Sequence, residues 1–336
     1  MAVSISGTST SKTELIDNLA TSTFYSMRNE IIDQAFKITP FFDRLWEKGK
    51  IKERIPDGTH FEVPVRYGDQ SQNRKWFGRG DKFGTSEKEY LTRMLFYVRN
   101  LGVSLVRTWE DDQKNRGKAK LFDYVVDLIE TAKLTMTDAL EDDLLAQNVD
   151  PLSITALATL ISTTPTTGTV GTKSRSTDTY LQNQIKDFSG LSTANNLLDE
   201  MTRMYNLCSQ WKANKQRTPD IIITERRVYQ DYERICRALQ QISTNKTERA
   251  SLGFGDLMFK NVEMFWAPQC PSGNMYMLNS ETLELDYDPS NWMEMTEWKT
   301  EPNSLDRYCQ IVSRCQFICT SPQRNGVIFS ITPTTA

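Results

Sequence analysis

A chain of 336 residues with 38% apolar and 25% charged residues can bury a sizeable core, which excludes a disordered chain and a minimal disulfide-held domain. Its formal net charge of −3 excludes an overall basic excess for gripping nucleic acid, although it does not exclude a local basic patch. No apolar run is long enough to cross a membrane and no secretory signal is recognisable, so we expect a cytoplasmic chain whose six cysteines are thiols.

The first part of the chain predicts an arm followed by a long β-hairpin. Residues 1–45 are polar with patchy helical spacing and have little that could form a core of their own. Residues 59–67 alternate apolar and polar side chains, and Pro64 restricts this strand to an edge or a bulge. The return strand, predicted over 90–107, moves its apolar set to the other face near residues 100–102, which indicates a bulge.

The tip of the predicted hairpin combines cations with aromatic side chains between glycines. The residues concerned are Arg74, Lys75, Trp76, Phe77, Arg79 and Lys82. Exposed aromatics beside cations suit either stacking on nucleic acid or a protein contact rich in Trp and Arg. Because the net charge is near neutral, we favour the protein contact and predict that these six residues meet a neighbouring subunit.

Helices and short strands follow the hairpin. Residues 118–147 predict the longest helix, because apolar side chains recur at steps of three and four. A second amphipathic helix is predicted to begin after Ser192, and the segment at 219–224 reads as a short buried strand before a third helix. Residues 305–320 alternate over their whole length and predict a long strand.

Four of the six cysteines are candidates for a reactive or metal-binding role. Cys270 lies between two prolines in a turn, where a thiol could act as a nucleophile if the single histidine, His60, served as its base. We favour a passive turn residue, because no histidine is near in sequence. Cys309, Cys315 and Cys319 fall on one face of the last long strand and are interpreted as core residues rather than metal ligands.

Two acidic clusters could hold Mg²⁺ or act as an acid–base pair. They lie at residues 110–112 and 141–143. We interpret the first as carboxylates near a helix start and the second as a solvated helix face. No catalytic, cofactor-binding or metal-binding residue is therefore expected in this chain.

The order of these elements resembles the major capsid protein of tailed bacteriophages, which has the HK97-like fold. The resemblance covers nearly the whole chain and includes TPDIIITERRVYQDYERI, LMFKNVEMFWAPQCPSGNMYMLNSETLEL and the ending TSPQRNGVIFSI. It implies an α+β fold with an arm, a hairpin, a spine helix and an axial domain. The implied segments are an N-terminal arm (1–45), the extended-loop β-hairpin (46–108), the peripheral domain with the spine helix (109–189), the axial domain (190–285), return strands of the peripheral domain (286–316) and a C-terminal segment (317–336).

The resemblance also implies a function without catalysis. Copies would form pentamers and hexamers of an icosahedral shell around double-stranded DNA, assembled in the cytoplasm of a bacterial host and found in the virion. DNA would be enclosed without specific binding, and no membrane or cofactor would take part. Only about 40 residues precede the hairpin, so a separate scaffolding protein is expected. Some relatives crosslink a hairpin lysine; Lys75 and Lys82 lie near the tip, but crosslinking is not expected, since no acidic catalyst or partner is evident.

Three alternatives stay open from the sequence. An encapsulin-like nanocompartment shell resembles the same fold but packages enzymes. A thiol-dependent hydrolase would use Cys270 and His60. A monomeric nucleic-acid binder would use the hairpin tip, and its binding would fall with salt.

Overall fold

The computed structural model describes residues 38–68, 71–87, 89–110, 124–147, 150–211, 217–242, 257–302 and 304–334. Its residues fall into two compact units. The smaller one contains Gly102–Met136 and Met293–Val312, and the larger one contains Ile38–Leu101, Thr137–Trp292 and Ser313–Ala336. Most of the predicted arm, residues 1–37, lies outside the described residues.

Helices and strands are both present, as predicted for an α+β chain. The described α-helices are named α1 (Pro40–Glu47), α2 (Tyr124–Leu145), α3 (Leu157–Leu160), α4 (Thr193–Ser209) and α5 (Arg226–Ile242). The described strands are named β1 (Ile51–Glu53), β2 (His60–Arg66), β3 (Leu91–Tyr97), β4 (Arg99–Arg107), β5 (Thr169–Val170), β6 (Lys173–Ser174), β7 (Gln184–Asp187), β8 (Ile221–Thr224), β9 (Met258–Phe259), β10 (Val262–Trp266), β11 (Met275–Leu278), β12 (Leu283–Tyr287), β13 (Glu294–Met295), β14 (Lys299–Thr300), β15 (Arg307–Cys319) and β16 (Gly326–Phe329). Among them, no helix combines the length and apolar character that crossing a bilayer requires.

A six-stranded mixed sheet carries a hydrophobic core of the larger unit. Its strand order is β7-β16-β11-β8-β10-β9, with β8 parallel to β10 and antiparallel to β11. All four residues of β8 are buried, which confirms the predicted buried strand. The sheet also includes β7 and β16, which lie in sequence outside the 190–285 segment expected for the axial domain.

Helix α4 covers this sheet with a buried stripe at steps of three and four residues. The stripe consists of Leu197, Met201, Met204 and Cys208, and it packs in one cluster with Ile222, Met275, Met277 and Ile328 from the strands. Ser192 occupies the N-cap position, as predicted, although its side chain makes no capping hydrogen bond. The amphipathic spacing therefore located both the helix and the face that it buries.

Gly326 at the start of β16 lies directly against side chains of α4. A Cβ atom at this position would lie 2.3 Å from Met204 Sδ and 3.0 Å from Cys208 Sγ. We expect Gly326→Ala to lower the free energy of unfolding by about 1–3 kcal/mol, because a packed core must shift to admit the methyl group. Urea denaturation measures this change. Gly102→Ala is the matched control, since its Cβ would meet only ordinary contact at 3.7 Å, and equal losses in both variants would contradict the close packing at Gly326.

The long strand β15 contributes to a second six-stranded sheet. In the larger unit β12 pairs antiparallel with it from Leu283↔Cys319 to Tyr287↔Cys315, and β1 pairs parallel with β12. In the smaller unit β13, β14 and β4 pair with its first half. The predicted strand at 305–320 is thus confirmed, beginning two residues later.

The polar side chain of Gln316 in β15 is buried. Gln316 is 3% exposed, and its Nε2 donates to Tyr97 O at 2.8 Å and to Thr155 Oγ1 at 3.1 Å. Its Oε1 accepts from Thr155 N at 2.9 Å. The amide is stable in the interior because both its nitrogen and its oxygen have hydrogen-bond partners.

The hairpin consists of β2 and β3, paired antiparallel from His60↔Tyr97 to Arg66↔Leu91. The single return strand predicted over 90–107 is instead two strands, interrupted at Val98, whose N–H donates to Thr59 O at 2.9 Å. The second of them, β4, pairs with β15 and not with β2. The shift in apolar face that suggested a bulge therefore marks a change of sheet.

The longest described helix, α2, has 22 residues and is about 33 Å long. Residues 118–123, where we expected it to begin, lie outside the described residues. Of the apolar positions that predicted this helix, Ala132, Met136, Leu140 and Leu144 are buried, whereas Leu128 and Ala139 are only partly buried.

Candidate assembly surface at the hairpin tip

The six residues singled out from the sequence lie together in the tip that connects β2 to β3. All six are exposed, as is every described residue from 74 to 87. Trp76 is fully exposed and Phe77 is 66% exposed. Adjacent large apolar side chains left in water are a feature of surfaces that other molecules cover.

Local hydrogen bonds order this tip although it is exposed. Asp81 N donates to Gly78 O at 3.2 Å, and the Asp81 carboxylate accepts from Gly78 N at 2.9 Å. Gly80 within this turn has φ +92°, a conformation that favours glycine. Asn73 and Ser86 join the two sides of the tip through bonds of 2.8 and 2.9 Å. The turn therefore presents its side chains in a defined arrangement.

An aromatic pair forms the apolar part of the tip. The rings of Phe77 and Phe83 have centroids 4.9 Å apart and are tilted by 60°. Phe83 is 55% exposed and was not among the predicted contact residues. Phe83 follows Phe77 by six residues, on the other side of a turn that contains glycine. This spacing could have identified it from the sequence. Together with Trp76, these rings give the tip three exposed aromatic side chains.

Four cationic residues lie next to these aromatic residues in the sequence of the tip. Arg74, Lys75, Arg79 and Lys82 are all exposed, and the Lys75 Nζ lies 3.7 Å from Asp81 Oδ2. Such an exposed pair adds little stability, so its charges stay available to a partner. Exposed aromatic side chains together with exposed cations suit a protein contact with acidic or aromatic groups.

The base of the hairpin is fixed to the body of the larger unit. Leu95 N donates to Gly171 O at 3.0 Å. At the tip end of β2, Tyr67 stacks on Tyr180 with ring centroids 5.5 Å apart. Gly171 has φ +54°, and a Cβ there would lie 2.6 Å from Met94 Cβ. The anchored base and the exposed tip divide the hairpin into a structural part and a part free to make contacts.

A carboxylate predicted to be solvated is instead buried beneath α1. Glu141 is fully buried, and its two oxygens accept from Phe41 N at 3.0 Å and from Phe42 N at 2.8 Å. Burial raises the pKa of this carboxyl to about 7, against the lowering effect of the two backbone donors. The prediction was wrong for Glu141, which satisfies two free N–H groups at a helix start, but it was right for Asp142, which is exposed. Of the other acidic cluster, residues 111 and 112 lie outside the described residues.

The thiol of Cys270 is not presented to solvent. Cys270 is 6% exposed, and its N–H donates to Ala267 O at 3.1 Å within the turn. Burial raises the pKa of this thiol far above its ordinary value, and the nearby Glu225 and Glu141 raise it further. The side chain therefore stays protonated and covered, which is the opposite of what a nucleophile requires.

The cysteines should differ in reactivity according to burial. Cys236 is partly exposed, whereas Cys208, Cys270, Cys309, Cys315 and Cys319 are buried. We expect N-ethylmaleimide at pH 8 to label Cys270 at least about 100-fold more slowly than free cysteine, because thiolate and access are both lacking. Mass spectrometry of the labelled chain measures this, with guanidinium-unfolded chain as the control. Native labelling of Cys270 as fast as that of Cys236 would restore the case for a reactive thiol.

No protein-family model and no curated protein matches this sequence. Solved structures, however, are similar over nearly the whole chain. A cyanophage A-1(L) capsid protein has a TM-score of 0.62 and 15% identity, covering 91% of this chain and 96% of its own. The capsid protein of an empty GTA particle has a TM-score of 0.59 and 10% identity, covering 91% and 94%. The SrpI encapsulin of Synechococcus elongatus PCC 7942 has a TM-score of 0.56 and 8% identity, covering 94% and 96%.

The fold of this chain is therefore the HK97-like capsid fold, as the order of elements in the sequence predicted. At identities of 8–15% the similarity concerns the fold and not individual side chains.

Proposed function

We propose that this chain is a structural major capsid protein whose copies assemble as pentamers and hexamers into an icosahedral shell enclosing double-stranded DNA. The observation that carries the proposal is a capsid fold over 91% of the chain joined to an ordered hairpin tip with a fully exposed tryptophan. In a symmetric shell each tip would lie on a neighbouring subunit, so one modest contact is repeated in every copy. The tip residues Arg74, Lys75, Trp76, Phe77, Arg79 and Lys82 form this contact, and Phe83 joins them.

The proposed relation to DNA is enclosure without specific binding. A net charge of −3 supports it, since a tightly gripping inner surface would need a basic excess. We further propose that a separate scaffolding protein assists assembly. One chain that forms both pentamers and hexamers needs a partner that determines the curvature of the shell. The site of assembly would be the cytoplasm of a bacterial host and the final location the virion. No catalysis is proposed, in keeping with the covered thiol of Cys270.

The second candidate is an encapsulin-like nanocompartment shell. The SrpI encapsulin supports it, since the similarity covers 94% of this chain. That shell would have the same fold and similar contacts between subunits, but a protein cargo. The difference lies in what the particle encloses.

Negative-stain microscopy of the purified chain, alone and co-expressed with its neighbouring genes, tests the proposal. Closed shells, tubes or sheets of capsomers are expected. Nuclease-protected DNA in the particles would favour the capsid, and a protein cargo without DNA would favour the nanocompartment. A monomer under every condition, with or without a scaffold, would contradict both.

A further inference from the structure

Three metal-ligating side chains meet at the turn that leads into β2. Asp57, His60 and Glu62 each offer a ligand atom, and these atoms all lie within 4.8 Å of one another. Among the described residues this is the only group of three or more such side chains so close together. It lies outside the hairpin tip and has no part in the proposed shell contacts.

The backbone explains why the three side chains converge. Asp57 N donates to His60 O at 2.9 Å, and the two residues form an antiparallel bridge that closes the turn. Gly58 within the turn has φ +68°, which lets the chain reverse in so few residues. Glu62 follows His60 by two residues in a strand, so both side chains stand on the same face. The convergence is thus a property of the turn and the strand and not of chance side-chain rotamers.

The donor set selects a class of ion. One imidazole nitrogen with two carboxylate oxygens suits Zn²⁺, Co²⁺, Ni²⁺ or Cu²⁺, whereas Mg²⁺ and Ca²⁺ prefer oxygen alone. Zinc holds such atoms at about 2.0–2.2 Å, so small side-chain rotations from the present separations would bring all three to one ion. Three protein ligands would leave a position for water.

Each ligand is accessible and weakly engaged. The His60 side chain is 23% exposed, and its Nε2 lies 3.7 Å from Glu62 Oε1, beyond hydrogen-bonding distance. No lysine or arginine of the described residues lies within ion-pairing distance of the Asp57 carboxylate. The competitor at Glu62 is Arg93, whose Nη1 lies 3.2 Å from the carboxylate and whose side chain is 71% exposed. Such an exposed pair contributes little, so a divalent ion can displace it.

We propose that Asp57, His60 and Glu62 bind one divalent transition-metal ion of the zinc class at the base of the hairpin. The ion joins the turn to β2 and holds the entry to the hairpin in one conformation. The shell function does not depend on this site, and the site does not depend on the shell function.

The single histidine makes the test specific. The probes are ZnCl₂ in equilibrium dialysis against the full chain, with bound zinc measured by mass spectrometry, and diethyl pyrocarbonate, which acylates imidazole. We expect one zinc ion per chain, loss of that ion in His60→Gln, and at least tenfold slower acylation of His60 when zinc is present. Unchanged zinc binding in His60→Gln, or acylation indifferent to zinc, would overturn the proposal.

A second variant tests the carboxylate independently of the imidazole. Arg93→Gln removes the cation that competes for Glu62 while leaving all three ligands in place. We expect zinc affinity to rise in this variant and to fall at least tenfold in Glu62→Gln. Unchanged zinc affinity in Glu62→Gln would show that Glu62 is not a ligand. MgCl₂ is the ion control, and binding of Mg²⁺ as tight as that of Zn²⁺ would contradict the proposed donor set.

Discussion

Replacing Trp76 with alanine is expected to weaken shell assembly while leaving the subunit folded. The side chain is fully exposed in the subunit, so its loss removes no internal contact. Truncating a tryptophan at an interface hot spot costs about 2 kcal/mol or more, and about 2 kcal/mol corresponds to a factor of about 30 in an equilibrium constant. The critical concentration for assembly, measured by light scattering or sedimentation, should therefore rise about 30-fold or more.

Two control variants make this result interpretable. Trp76→Phe keeps an aromatic ring and should assemble at a concentration between those of the wild type and Trp76→Ala. Leu152→Ala removes another exposed apolar side chain, 75% exposed and outside the hairpin, and should assemble as the wild type does. Unfolding curves of all three should match the wild type. If Trp76→Ala assembled normally, the tip would not be the contact that we propose.

The alternative use of the same tip predicts a different outcome. If it bound nucleic acid, changing Arg74, Lys75 and Arg79 together to glutamine would abolish salt-dependent DNA binding by the unassembled chain. The shell contact predicts instead that DNA binding is weak from the start and that assembly suffers.

Replacing Glu141 with glutamine is expected to remove a large pH dependence of stability. The pKa of this carboxyl rises from 4.5 to about 7 on folding, mainly through burial, with Asp43 and Asp142 adding to the rise. The folded chain therefore binds the proton before the unfolded chain does. Stability from this group is complete below pH 4.5 and is lost as the pH rises through about 7. The difference amounts to about 3 kcal/mol between pH 4.5 and pH 8.

Urea denaturation at pH 5 and at pH 8 measures this contribution. We expect the wild type to gain stability between pH 8 and pH 5 relative to Glu141→Gln, which has no proton to take up. Asp142→Asn is the matched control, because it removes an exposed carboxylate one residue away and should keep most of the wild-type dependence. Identical slopes for the wild type and Glu141→Gln would mean that this carboxyl is not protonated on folding.

Patterns confined to one element were readable from the sequence. The alternation at 305–320 gave strand β15, and the apolar steps after Ser192 gave helix α4 with its buried face. The tip residues could be found because cations and aromatics there interrupt a polar, glycine-containing stretch. In each case the structure depends on residues that are close in sequence. The hydrophobic periodicity and the local composition can therefore predict it.

Features set by distant partners were not readable in this way. The carboxylate of Glu141 meets the N–H of Phe41 across 100 residues, and nothing in an acidic run distinguishes that residue from its exposed neighbour. The amide of Gln316 likewise finds partners far away in the chain. Strand β4 continues directly from β3, and only the choice of its partner, β15, shows that it leaves the hairpin. Tertiary contacts decide such features, and one sequence does not specify them.

A cryo-electron microscopy reconstruction of the particle formed by this chain tests the central claim most directly. The account predicts a closed shell with fivefold and sixfold rings, in which residues 74–83 of each subunit lie against a neighbouring subunit and Trp76 is buried. A shell in which these residues face solvent would contradict the role of the tip. A chain that forms no symmetric particle, even with a scaffolding partner present, would contradict the proposed function itself.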